Sequence, residues 1–383
     1  MSQSDNAEYL VSLKKRYKTA TKKERGKILD EYVKTTGHHR KHATAVLSGK
    51  RKRVKRPIRR PRSVIYTVED ARALDQLRQL FDGLNSKLLR AAMDEHLKPL
   101  YESGYLQISR VCYERLKHIS PATMDRLRVQ YGRRPVGRHS RSRTKPGSLL
   151  KDQIPIRTWA DWNEDRPGFT EMDLVAHDGG NPRGEHAWTL CFTDIKTGWT
   201  ECAATRNKAQ IHVFSAIRLA QRRLPFPLLG MDSDNGSEFI NDELLRYCNA
   251  ERITFTRGRQ GRKNDNAHVE QKNWSVVRRF VGDLRFDTSA QLKLLDQLYE
   301  LLHFFVNFFL PTMKLKEKVH RGSKVKRIYE KPQTPYARVL VNSTVSRKVK
   351  AQLRATYRQL DVVDLKRQID EVLDQLWDDA NRS

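Results

Sequence analysis

MDSDNGSEFIN (residues 231–241) and GRKNDNAHVEQKN (residues 261–273) decide how this chain is read. The first begins as an apolar strand and runs out at Asn235-Gly236, a strong turn signal. Side chains alternate along a strand, so Asp232 and Asp234 share one face at its C-terminal end. Open α/β sheets place their sites at that end of a strand. Asp234, nearer the exposed end, is the preferred ligand, unless it only closes the turn. In the second stretch Glu270 heads a helix and aligns with Trp274, Val277 and Val281, a stripe that aims it at the sheet. The opposite stripe carries Lys272 and Arg279, a face suited to a phosphate backbone. Between the two stretches, RGRQGRKND (residues 257–265) combines glycines with cations, among them Arg259, Arg262 and Lys263, as a mobile DNA clamp requires.

Upstream, GFTEMDLVAHDGG (residues 168–180) reads as a strand with Glu171, Asp173, Val175 and His177 on one face. Asp173 sits among apolar residues, where a carboxylate is costly unless paired or metal-bound. Two further strand-like runs follow, then a helix, a strand, a helix, a strand and the helix of Glu270. That order predicts a three-stranded antiparallel meander extended into a mixed sheet with both faces covered. Carboxylates from two strands and a helix suit Mg²⁺ or Mn²⁺, which prefer oxygen ligands. Two such ions, about 4 Å apart, would serve an in-line phosphoryl displacement.

Composition agrees with an anionic partner. The 383 residues carry 74 Lys and Arg against 45 Asp and Glu, a net charge of +29. Nucleic acid or an anionic membrane would answer that excess. The most apolar run, LYELLHFFVNFFL (residues 298–310), contains Glu300, His303 and Asn307 and is shorter than the ~20 residues that span a bilayer. It predicts a buried helix. MSQSDNAEYL lacks the features of a signal peptide, so a cytoplasmic, nucleoid-associated location is expected. Cys112, Cys191, Cys202 and Cys248 form no C-x-x-C pair, which argues against a disulfide framework or a zinc site. The histidines of GHHRKH (residues 37–42) have no cysteine pair at zinc-finger distance.

The flanks read as DNA-binding elements. Residues 1–49 give three short helical patterns, the middle one with Ile28, Leu29 and Tyr32 inward and a stop at Gly37. They suit a helix-turn-helix whose last helix presents Arg40 and Lys41 to the major groove. Residues 50–64 form a basic arm in which Lys52, Arg53, Arg56, Arg59 and Arg60 are placed to neutralise phosphates. Residues 65–131 predict a second helix-turn-helix with Arg126 and Arg128 on its last helix, or else a connecting bundle. Residues 132–160, rich in Arg, Ser, Gly and Pro, mark a basic linker before the core at 161–310. A basic and helical C-terminal region, 311–383, closes the chain. There Leu353, Tyr357, Leu360, Leu365, Ile369, Val372 and Leu376 form an amphipathic pattern that would pack on the core, bind another protomer or remain solvated.

FTEMDLVAHDG, MDSDNGSEFIN and GRKNDNAHVEQKN together resemble the integrase-type DDE transposases of bacterial insertion sequences, relatives of the retroviral integrases. Thirty-five residues separate Asp234 from Glu270, and the D-N-G-x-E-F and E-x-x-N patterns are both present, the latter as Glu270 with Asn273. The resemblance covers about residues 165–285 closely. It implies a multidomain chain with an α/β RNase H-like core and α-helical DNA-binding domains. It further implies a triad of Asp173, Asp234 and Glu270 holding two Mg²⁺, with Asn273 of the E-x-x-N pattern expected at DNA. Cleavage at element ends, joining of 3′-hydroxyls to target double-stranded DNA, and a homo-oligomer of at least two copies would follow. Two departures stand out: the zinc-binding N-terminal domain of retroviral integrases is missing, and the first aspartate lies in MDLVAHDG, which leaves Asp178 as an alternative to Asp173. A DNA-binding repressor or a nuclease of the same fold are the other readings.

Overall fold

The computed structural model describes residues 3–49, 65–131, 166–234, 236, 238–258, 267–321 and 324–382. The chain forms two compact units, Met1–Val64 and Ile65–Ser383. Lys52, Arg53, Arg56, Arg59, Arg60, Arg259, Arg262 and Lys263, like the expected linker at 132–160, lie outside the described residues.

The first unit holds three helices, α1 (Gln3–Thr19), α2 (Lys22–Thr36) and α3 (Arg40–Leu47). Thr21 and Glu24 form a reciprocal capping box at the start of α2, and Gly37 ends it in the left-handed region at φ 69°. Ile28, Leu29 and Tyr32 are buried with Leu13, Ala43 and Leu47, so the helical spacing did identify the inward face.

The second unit is organised around a mixed five-stranded sheet. Strands β1 (Phe169–Ala176), β2 (Trp188–Asp194) and β3 (Thr200–Thr205) form the antiparallel meander. The chain then passes through α8 (Gln210–Arg223) to β4 (Gly230–Ser233), and through α9 (Asp242–Ala250) to β5 (Thr254–Arg257). β4 pairs in parallel with β1, and β5 in parallel with β4, giving the order β3-β2-β1-β4-β5. One face packs Met172, Leu174, Leu190, Phe192 and Met231 against residues of α8 and α9 such as Ile217 and Leu244. The other receives α10 (Ala267–Lys272), a π-helical segment (Asn273–Arg278) and α11 (Arg279–Val281).

The apolar run at 298–310 is helical and buried, as α12 (Ser289–Phe304) followed by a π-helical turn over Phe305–Phe309. Its one buried amide explains itself: Asn307 Oδ1 accepts the Thr200 N–H at 2.8 Å while Nδ2 donates to the Thr200 carbonyl at 2.8 Å. The helix is thereby registered on the edge strand β3. No described helix is long and apolar enough to cross a membrane.

Residues 65–131 fold as α4 (Val68–Leu80), α5 (Ser86–Glu102), α6 (Arg110–Lys117) and α7 (Pro121–Tyr131). They share one hydrophobic core with α12 and the C-terminal helices. The His96 ring of α5 lies tilted between those of Phe81 and Phe309, and Arg279 pairs with Asp82 at 2.7 Å. The four helices are therefore bound to the sheet-containing unit.

The C-terminal region contains a feature that the sequence reading lacked. β6 (Leu315–Arg321) and β7 (Lys324–Tyr329) form a separate two-stranded antiparallel sheet. α13 (Pro335–Val341), α14 (Arg347–Gln359) and α15 (Val362–Arg382) follow. Of the amphipathic pattern, Leu353, Leu365, Ile369, Val372 and Leu376 are buried, with Tyr357 and Leu360 packed beside them. Each fully buried aliphatic side chain contributes about 1.5–3 kcal/mol. The pattern thus packs on the core, chiefly through α15 against α12 and α4.

Candidate active site

The site grows from β1. Glu171, Asp173 and Val175 point to the face that receives α10, while Met172 and Leu174 join the opposite core. Met172 is the register partner of Ser233, the last residue of β4. The next step along both parallel strands puts Asp173 beside Asp234 on one face. Asp173 is held through both oxygens: Oδ1 accepts the Leu174 N–H at 2.8 Å and Oδ2 accepts Asn273 Nδ2 at 2.7 Å. Burial, reinforced by the charges of Asp234 and Glu270, pushes its carboxyl up to about 7. The three acids are therefore electrostatic neighbours.

Asp234 Oδ1 accepts the Gly236 N–H at 2.9 Å, so it closes the turn as well as facing Asp173. A Cβ at Gly236 would stand 2.7 Å from the Glu238 carboxyl carbon and 2.9 Å from Asp234 Oδ1, so a side chain there would displace both carboxylates. Burial raises the Asp234 carboxyl too, opposed by the Gly236 N–H and by the charge of Lys208. Lys208, exposed in the loop before α8, was not singled out from the sequence. Nothing in RNK (residues 206–208) distinguishes it from other surface cations.

Asp232 is fully buried and accepts the Thr256 hydroxyl across to β5. Asp178 accepts the Gly180 N–H at 2.9 Å and closes the turn after β1. Thus Asp173 is the aspartate brought to Asp234 and Glu270.

The Glu270 helix departs from the expected stripe. Glu270 is exposed, and Trp274 is 63% exposed while Val276, Val277, Phe280 and Val281 are buried. The i→i+5 hydrogen bonding of the π-helical segment rotates the later residues out of α-helical register. The opposite stripe also changes role. Lys272 is 7% exposed, and burial lowers its ammonium to about 8. Arg279 is turned to Asp82. Neither forms the solvent-facing cationic stripe that the spacing suggested. Asn273, expected at DNA, donates to Asp173.

The flanking cations are placed as follows. Lys41 is exposed on α3, and Arg40 beside it pairs with Asp30. Arg126 folds back on α7, donating to the Ala122 carbonyl at 3.2 Å and Thr123 Oγ1 at 3.0 Å. Arg128 is partly buried beside Arg78.

The oxygen donors of Asp173, Asp234 and Glu270 suit a hard divalent cation, and the crowding of charge on Asp173 is what such a cation would relieve. Among the described residues, however, no three His, Cys, Asp or Glu side chains gather closely enough to hold an ion.

No family model matches the chain. Solved structures similar to it include retroviral integrase catalytic cores. The magnesium-bound core of HTLV-2 integrase, in its dimeric form, is 16% identical and aligns over 38% of this chain and 90% of that one, with a TM-score of 0.29. The core of BIV integrase is 17% identical over 50% of this chain and 99% of that one, also at 0.29. Strand order and register, rather than these superpositions, define the fold. In sequence, the chain is 38% identical over 339 residues to the uncharacterized protein y4rM of Sinorhizobium fredii (strain NBRC 101917 / NGR234), covering 88% of this chain and 96% of the relative. The chain belongs to the same protein family as y4rM.

Proposed function

We propose that this protein is a DNA transposase of the DDE type, which cleaves at the ends of a mobile element and joins the freed 3′-hydroxyls to target DNA. The observation that supports the reading is that the charges of two acids from distant parts of the chain, Asp234 and Glu270, both act on Asp173. The adjacent ends of two parallel strands and the head of a helix direct the charges of Asp234 and Glu270 onto Asp173. Concentrating negative charge in a half-buried place is unfavourable unless a cation is to be held there.

Asp173, Asp234 and Glu270 would hold Mg²⁺ or Mn²⁺. When bound, such ions activate the attacking oxygen and stabilise the leaving one in an in-line displacement at phosphorus. The chain's own residues orient the acids: Asn273 and the Leu174 N–H fix both oxygens of Asp173, and the Gly236 N–H fixes Asp234. Lys208, beside Asp234, is suited to draw a phosphate toward the acids. In this reading the three-helix unit binds the element ends as a helix-turn-helix, with Lys41 on its last helix facing DNA. The net charge of +29 supplies the general attraction for the backbone. Cutting two ends calls for at least two copies.

Incubation of the full chain with Mg²⁺, an oligonucleotide bearing the element end and a target plasmid tests this. Joined products in the wild type and none with Glu270→Gln are expected. Cleavage without joining would favour a nuclease of the same fold, and DNA binding without cleavage a repressor.

A further inference from the structure

Glu171 is fully buried on β1, two residues before Asp173, and the proposed chemistry gives it no part. Its Oε2 accepts the backbone N–H of Val269 at 2.9 Å. Val269 is the third residue of α10 and precedes Glu270 directly. The first four N–H groups of a helix have no partner within it. A carboxylate from a strand thus serves as the cap of an incoming helix and favours the positive end of its dipole.

The same strand grips the same helix again. Asp173 Oδ2 accepts Asn273 Nδ2 at 2.7 Å, and further on Arg278 Nη2 donates to the Ala176 carbonyl at 2.7 Å. The first two grips match in spacing. Two residues advance a strand by about 6.7 Å, and four residues advance a helix by about 6 Å. Glu171 and Asp173 on β1 therefore meet Val269 and Asn273 with the helix lying along the strand, and Glu270 falls between the two contacts. A slip of one residue at either contact would turn Glu270 by about 100° around the helix.

We propose that Glu171 is a positioning residue: with Asp173 it clamps the helix at Val269 and Asn273 and so sets where Glu270 stands relative to Asp173. The proposal rests on the metal-dependent reading of the triad and names what makes the triad's third member arrive in register. Asp232, the register neighbour of Glu171 on β4, accepts the Thr256 hydroxyl on the β5 side, so the two buried acids have separate tasks.

The test compares Glu171→Gln, which keeps an acceptor for the Val269 N–H, with Glu171→Leu, which removes it. Asn273→Leu opens the second grip and serves where Glu171→Leu does not fold. Three readouts on the full chain are needed: Mn²⁺ titrated by calorimetry, the Mg²⁺ dependence of cleavage, and amide hydrogen exchange over residues 267–273. The clamp predicts that Glu171→Leu and Asn273→Leu speed exchange there and raise the half-saturating Mn²⁺ and Mg²⁺ about tenfold. Glu171→Gln should stay within about twofold of the wild type. Faster exchange with unchanged metal half-saturation would reduce Glu171 to a structural residue and overturn the proposal, as would a Gln variant as impaired as Leu. A wild type that neither binds Mn²⁺ nor cleaves DNA would overturn the functional reading itself, and the positioning role with it. That outcome is recognised because it appears before any substitution is made.

Discussion

The two faces of the central sheet are built from alternate residues of the same strands, yet they differ in kind. Toward α8 and α9 lie Met172, Leu174, Leu190, Phe192 and Met231, a hydrocarbon layer. Toward α10 lie Glu171, Asp173, Cys191, Thr193, Cys202 and Asp232, with Lys272 buried against them. Burying apolar surface stabilises a fold, whereas burying ionisable groups costs free energy that hydrogen bonds only partly offset. The first face is accordingly an apolar layer, and the second is where the proposed site would draw its acids.

Neutralising the second face should have the largest effect. Asp173→Asn, Asp234→Asn or Glu270→Gln is expected to lower DNA cleavage about 10³-fold or more, measured on an end-bearing oligonucleotide, without loss of folded protein. The first face should answer in the opposite way. Phe192, fully buried there, should cost about 3–5 kcal/mol on truncation to Ala. Urea denaturation would show it, while cleavage per folded molecule stays near that of the wild type. If Phe192→Ala abolished cleavage in protein shown to be folded, the division of labour between the faces would be lost.

A pH dependence should distinguish the faces next. The folded chain binds the Asp173 proton more tightly than the unfolded chain, because the folded carboxyl titrates at about 7 rather than 3.8. The stability contributed by that proton is present below the unfolded value and is lost as pH rises through about 7. Thermal unfolding should therefore show falling stability between about pH 4 and pH 7 from this group. Asp173→Asn should remove that component of the slope, and its persistence in the variant would assign it elsewhere.

The smallest effects concern cations. Lys208→Ala should lower the salt dependence of DNA binding by about one phosphate contact. Lys272→Met, at a buried position, should leave that dependence unchanged. Filter binding over a range of salt concentrations checks both. In the two-stranded sheet of β6 and β7, Lys326 and Arg327 are exposed and should behave like Lys208.

How much of this was legible in the sequence follows from the range of each signal. Period-two alternation placed Glu171 and Asp173 on one face, and the Asn-Gly turn located Asp234 at a strand end, because both depend on neighbours in the chain. The order of strands and helices conveyed the mixed sheet for the same reason. The fate of Trp274, Lys272 and Arg279 was not legible. It depends on a π-helical segment and on Asp82, nearly 200 residues away, neither of which leaves a periodic trace. Nor did the basic run around residue 320 announce strands, since charge dominates its composition. The packing of residues 65–131 onto the core was likewise hidden. Short amphipathic helices look alike whether they bind DNA or a neighbouring core.

The central claim is that Asp173, Asp234 and Glu270 face one another. Its most direct measurement is the titration of the Asp173 carboxyl by carbon-13 NMR in the metal-free protein, alone and with Asp234→Asn or Glu270→Gln. The account predicts a midpoint of about 7 in the wild type that moves down when either neighbouring charge is removed. A midpoint in the ordinary carboxylate range, or one that neither substitution moves, would contradict it.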